Sequence, residues 1–161
     1  MEVLEIIKIS NIVIISKLSP DGIKTVFKWC FNPIGTKFRG NANIKTLKDL
    51  RFFTSLDDDA QQIVAYCPNL IEVWVPESMT FIGSWFSLGT PRLKTVVMCG
   101  KTPPSLSLNF MYIDTNYTYP KDLKIFVPDD AVAKYKQKWA NISNEITKIV
   151  SFIRPLSDYR P

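Results

Sequence analysis

No histidine occurs anywhere in the 161 residues. That absence removes the commonest general base, the imidazole metal ligands and every Ser-His or Cys-His nucleophile pair. Cysteine is scarce, and Cys30, Cys67 and Cys99 are too far apart to form a Cys-x-x-Cys zinc or redox motif. An odd number of cysteines argues against a complete disulfide framework, so buried free thiols are expected. Glycine is limited to 6 residues, and Gly35 and Gly40 stand isolated, so no phosphate-cradling loop can be assembled. The longest early apolar run, Ile12-Val13-Ile14-Ile15, is far too short to span a membrane. The opening Met-Glu-Val-Leu-Glu puts acid where an export signal carries base, so no classical signal peptide is expected and cytoplasmic synthesis without export stays open.

What is present fits one folded domain. Hydrophobic residues make up 46% and charged residues 22%, which is enough apolar material for a core and too little charge for wholesale disorder. The net charge of +5 is unevenly placed. Residues 1–56 hold nine Lys/Arg against four Asp/Glu, whereas residues 57–161 hold eleven of each, so the excess lies in the first third. There, Lys24, Lys28, Lys37, Arg39, Lys45 and Lys48, with Phe38 and Arg51, interleave base with aromatic side chains. A polyanion could use such a set, but no recognised nucleic-acid module accompanies it.

A repeat organises the middle of the chain. Shifting the sequence by 23 residues aligns Leu47, Leu70 and Leu93, then Leu50, Val73 and Val96, then Phe52, Val75 and Met98. The shared Leu-x-x-apolar-x-apolar pattern ends with the two-residue period of a short strand. A fourth strand, Leu123-Lys124-Ile125-Phe126-Val127-Pro128, follows after a longer, 30-residue step. Each unit alone has too little core, and parallel stacking would bury a continuous apolar ladder.

The flanks depart from the repeat. Residues 3–30 read as strands, with Ser19-Pro20-Asp21-Gly22 as a turn: proline presets the first torsion and glycine accepts a positive φ at the exit. Beyond Pro128, Asp129 or Asp130 is placed to cap a helix bearing Val132, Tyr135 and Trp139 on one face. The expected division is therefore residues 1–40 as strands and cap, 41–128 as a solenoid, and 129–161 as a capping helix and tail, within one structural domain.

The segment from Asn69 to Gly83, reading Asn-Leu-Ile-Glu-Val-Trp-Val-Pro-Glu-Ser-Met-Thr-Phe-Ile-Gly, resembles a BspA-type leucine-rich repeat. Thr102-Pro103-Pro104, the strand Leu123–Pro128, and then Tyr135 and Trp139 are similar to the terminal segment of such proteins. The resemblance spans about residues 47–155. It implies a mainly β fold with some α: a short leucine-rich-repeat β-solenoid with an N-terminal β-hairpin cap and a C-terminal helical cap. It also implies a surface adhesion or interaction module of the kind found in gut anaerobes, with related modules on phage particles. Two departures stand out. Asp57-Asp58-Asp59 places acid at an expected core position, and no export signal is visible.

The Asp57–Asp59 run could in principle hold calcium or supply a hydrolytic carboxylate, but no closing glutamate or partner acid follows at the required spacing. A solvated loop is the simpler reading. Asn116-Tyr117-Thr118 and Asn141-Ile142-Ser143 match the glycosylation acceptor pattern, which means little without export. No catalytic residue, metal site or cofactor is expected. Alternation along the strands instead points Arg51, Trp74, Val97 and Phe126 outward in one row, beside a second row of Asp49, Glu72, Thr95 and Lys124. A contiguous apolar stripe of that kind marks a contact surface, unless a flanking segment folds over it. The expected function is a non-enzymatic structural or protein-interaction module, on a bacterial surface or a virion. Its partner would be a protein or a second copy of itself. A carbohydrate-binding or carbohydrate-active surface protein is the second reading, and a nucleic-acid binder acting through the basic first third is the third.

Overall fold

The computed structural model describes residues 3–9, 12–19, 22–26, 38–52, 62–107, 109–112, 114, 116, 118–142 and 147–161. The strands β1 (Val3–Ile9), β2 (Ile12–Ser19) and β3 (Gly22–Val26) form an antiparallel three-stranded sheet. Ile9 pairs with Ile12 and Ser19 with Gly22, and the register shifts between Lys17 and Leu18. The expected hairpin therefore carries a third strand. Pro20 and Asp21 of the expected turn lie outside the described residues.

The main sheet has five strands in the order β10-β9-β7-β5-β4, and every neighbouring pair is parallel. They are β4 (Thr46–Leu47), β5 (Glu72–Val75), β7 (Thr95–Met98), β9 (Lys124–Val127) and β10 (Ile153–Pro155). The segments Glu-Val-Trp-Val, Thr-Val-Val-Met and Lys-Ile-Phe-Val are rich in the β-branched and aromatic residues that suit a pleated, buried surface. Two short strands, β6 (Phe81–Ile82) and β8 (Ser105–Leu106), pair in parallel as a separate ribbon. Val73, Val75, Val96, Met98, Ile125, Val127 and Ile153 share one buried core with Ile63, Phe86, Phe110 and Met111.

This is an α/β arrangement built on a parallel sheet, and it overturns the expected leucine-rich-repeat solenoid between two caps. The repeat is real as strand pairing, since Val73 lies level with Val96 and Val75 with Met98. It is not a uniform coil. Thr46, Glu72, Thr95 and Lys124 stand level across the sheet although the chain lengths between them are unequal. The return layer is reduced to the two-residue strands β6 and β8. Within the 129–161 segment, Ile153–Pro155 extend the same sheet as an edge strand beside β9.

The first repeat also differs in register. Leu47, rather than Leu50, pairs with Val73. After β4 the chain tightens into a 3-10 turn over Asp49–Phe52, and Leu50 reaches the core from that turn.

Helix α1 (Val132–Ala140) and the short α2 (Thr147–Val150) complete the fold. Tyr135 and Trp139 of α1 are fully buried, as the i, i+4 spacing on one helical face requires. Their polar ends are satisfied: the Tyr135 hydroxyl donates to the Gly100 carbonyl at 2.7 Å and the Trp139 indole to Pro104 at 3.1 Å. Burial pushes the Tyr135 phenol well above its ordinary value, so it stays a neutral donor. The expected aspartate cap is absent. Ala131 occupies the N-cap without a side-chain bond, while Asp130 pairs with Lys101 at 2.6 Å and Asp129 accepts the Ser157 amide at 2.9 Å.

Candidate docking surface

Alternation in the parallel strands gives the sheet a second face, turned away from that core. Trp74, Val97, Phe126 and Arg154 are level with one another across β5, β7, β9 and β10, and Glu72, Thr95 and Lys124 form the adjacent row. The order expected from sequence is therefore present from Glu72 to Lys124 and from Trp74 to Phe126. Arg51 joins from the 3-10 turn rather than from a strand, with its guanidinium 5.0 Å from the Trp74 ring centre. An exposed cation-π contact of this kind contributes roughly 0.5–1 kcal/mol.

The row is not an open apolar stripe. Val97 is 0% and Phe126 5% exposed and Trp74 is half-buried, whereas Arg51, Lys124 and Arg154 are exposed. The expectation of an exposed Val97 and Phe126 is therefore corrected: the chain covers them itself. After β10, residues 156–158 make one 3-10 turn and Tyr159 swings back over the face. Its ring meets Phe126 at 5.4 Å and Trp74 at 5.7 Å between centres, both edge-on, with Val97 on the strand between them. Edge-to-face pairing suits the ring quadrupoles and adds to the area buried.

A polar knot locks this segment, residues 156–161, in place. Glu72 is buried at 8% exposure and accepts from the Trp74 indole N–H and, at 2.8 Å, from the Tyr159 hydroxyl. Lys48 stands 3.4 Å from the same Glu72 oxygen and donates to the Tyr159 oxygen at 3.2 Å. A carboxylate this buried needs such partners, because an unpaired one would be strongly destabilising. The Tyr159 hydroxyl is the main influence raising the Lys48 ammonium above its ordinary range; burial opposes it and the Glu72 charge adds to it. A second tie is the Asp129 carboxylate on the Ser157 amide, a bond that holds Asp129 below the usual aspartate range.

Arg39 lies over the Tyr66 ring at 5.0 Å, and Lys45 is exposed beside β4. Lys24 belongs to β3, and Lys28 and Lys37 lie outside the described residues, as do Asp57, Asp58 and Asp59. Among the described residues no three of Cys, Asp or Glu gather as a metal site, and no helix is long and apolar enough to cross a membrane.

Sequence reasoning missed two residues. Tyr159 carries no periodic signal. Tyr66 is the exposed large apolar residue of the described part, at 44%, and takes a left-handed backbone with φ 57°. Gly40 and Gly89 hold the corresponding turns at φ 74° and 67°, linked by Gly40 N–H to Ala65 and Tyr66 N–H to Leu88. A tyrosine there costs roughly 1–2 kcal/mol of backbone strain relative to glycine. The 23-residue shift, which sets Tyr66 against Gly89, was the available clue.

Compared with protein-family models, curated proteins and solved structures, the chain matches none of them.

Proposed function

We propose that this chain is a non-catalytic protein-interaction module, a part of a larger surface or particle assembly that works by seating polypeptide on the outer face of its parallel sheet. One observation carries the reading. The Trp74–Val97–Phe126 row is already occupied by polypeptide, the 156–161 segment, through an aromatic side chain and a buried carboxylate. A face that fits one tyrosine-bearing segment has the chemistry of a protein interface: a desolvated aromatic centre, an arginine at its margin and a polar lock.

Other features favour this reading over its competitors. Glu72, the buried acid of the surface, is committed to Trp74, Tyr159 and Lys48, which leaves it poorly placed for acid-base work on a substrate. Arg39 and Lys48 are engaged with Tyr66 and Glu72 rather than gathered into a track for a phosphate backbone.

Sedimentation of the full chain over a concentration series tests the proposal, run beside a glycan array and a salt-dependent oligonucleotide titration. Reversible self-association, with neither glycan nor oligonucleotide bound, is the expected result. A monomer at every concentration that binds a glycan, or an oligonucleotide with a steep salt slope, would overturn it.

A further inference from the structure

We infer that the outer sheet face is a docking site for the 156–161 segment of a second copy of this chain, and that the segment seen lying over it is the closed, self-occupied form of that site. The inference deepens the protein-interaction reading and rests on it. The occupant follows from what is seated there. Tyr159 packs against Trp74 and Phe126, its hydroxyl bonds Glu72, and Lys48 closes over it. Each of these contacts is between side chains, so a copy of the segment arriving from a neighbour can make all of them.

The segment is also separable from the body. Ile149 of α2 and Ile153 of β10 are core residues at 1% exposure, so the chain is anchored up to the sheet edge. Beyond it, Leu156 and Tyr159 are half-buried, and Ser157, Asp158, Arg160 and Pro161 are exposed. The backbone ties of the segment include the Ser157 and Leu156 amides on the Asp129 carboxylate and the turn bond from Tyr159 N–H to Leu156. Pro155, at φ −66° and ψ 148°, is already extended, so opening needs rotation only beyond the proline. The four residues from Leu156 to Tyr159, when extended, reach roughly 13 Å, enough to cross to a copy whose outer face is packed against this one. Reciprocal exchange of that kind is two-fold symmetric and closed, and it re-forms every contact broken in opening.

Two measurements on the full-length chain test this, using Tyr159→Ala and the milder Tyr159→Phe. The first is self-association by sedimentation. The second is binding of a fluorescent synthetic peptide with the sequence of residues 153–161. In the wild-type chain the attached segment competes at an effective concentration of about millimolar, so Tyr159→Ala should bind the peptide roughly tenfold or more tightly than wild type. The same substitution should abolish self-association, with Tyr159→Phe intermediate in both. Thermal unfolding and near-ultraviolet circular dichroism establish that the variants are folded, and should Tyr159→Ala fail to fold, Tyr159→Phe decides by the same criteria. Self-association that persists unchanged in the folded variants would sink the exchange but leave the interaction module standing. Peptide binding by the variant without any self-association of the wild-type chain would also sink the exchange. Absence of both would sink the exchange and the module together.

Discussion

The two faces of the parallel sheet are covered in different ways. The inner face is sealed by much of the chain, from Ile63 and Phe86 to Phe110, together with the fully buried Tyr135 and Trp139 of α1. On the outer face, the segment 156–161 lies over Trp74 and Phe126 with a single aromatic ring and a few hydrogen bonds, beside Arg51 and Lys48. Both faces exclude water from apolar side chains, and the exchange inferred above requires that the outer one be uncovered without dismantling the fold. Burial by a large, interlocked layer is structural, whereas burial by a short strap is conditional.

Substitutions can break this contrast. Trp139→Ala, on the inner side, should destabilise the chain by about 3–5 kcal/mol in urea unfolding, since it empties a packed site and removes the bond to Pro104. Trp74→Ala, on the outer side, should cost about 1–3 kcal/mol, because the residue is half-buried beneath Arg51 and Tyr159. Equal losses at the two positions would show that the strap is as much core as the helix. Tyr159→Phe keeps the ring and removes one hydroxyl, and a loss of about 0.5–1.5 kcal/mol is expected from the same unfolding measurement.

The smallest effect is set by pH. The Ser157 amide holds Asp129 below its ordinary value of 3.8. A depressed carboxyl contributes fully above its unfolded value and loses that contribution as pH falls through the folded one. The strap should therefore hold at neutral pH and loosen only below the usual aspartate range. The Ser157 amide resonance, followed by nuclear magnetic resonance, should shift in that acid window and not above it.

The sequence spoke most clearly where a period was present. Glu72, Thr95 and Lys124, and Trp74, Val97 and Phe126, were assigned to rows by alternation, and those rows exist because a shared strand pattern fixes parallel register. Tyr135 and Trp139 were legible as one helical face. The fold class was not. Two good repeats cannot reveal that the return layer thins to Phe81–Ile82 and Ser105–Leu106, or that Ile153–Pro155 comes back to the sheet. The cap failed for a local reason: Asp129 and Asp130 are drawn to Ser157 and Lys101 instead of the α1 amides. The strap was illegible because Tyr159 and Glu72 are 87 residues apart, and a single terminal-side aromatic carries no pattern that pairs it with a distant carboxylate.

The surroundings of Trp74 have an optical consequence. Its indole N–H is bound to a carboxylate, one side of its ring faces a guanidinium, and the edge of a tyrosine ring closes over the assembly. Lifting the strap would hydrate that indole while Trp139 stays dry in the core. Red-shifted emission from Trp74 would then mark opening, and the chain would carry its own fluorophore for watching which face is covered.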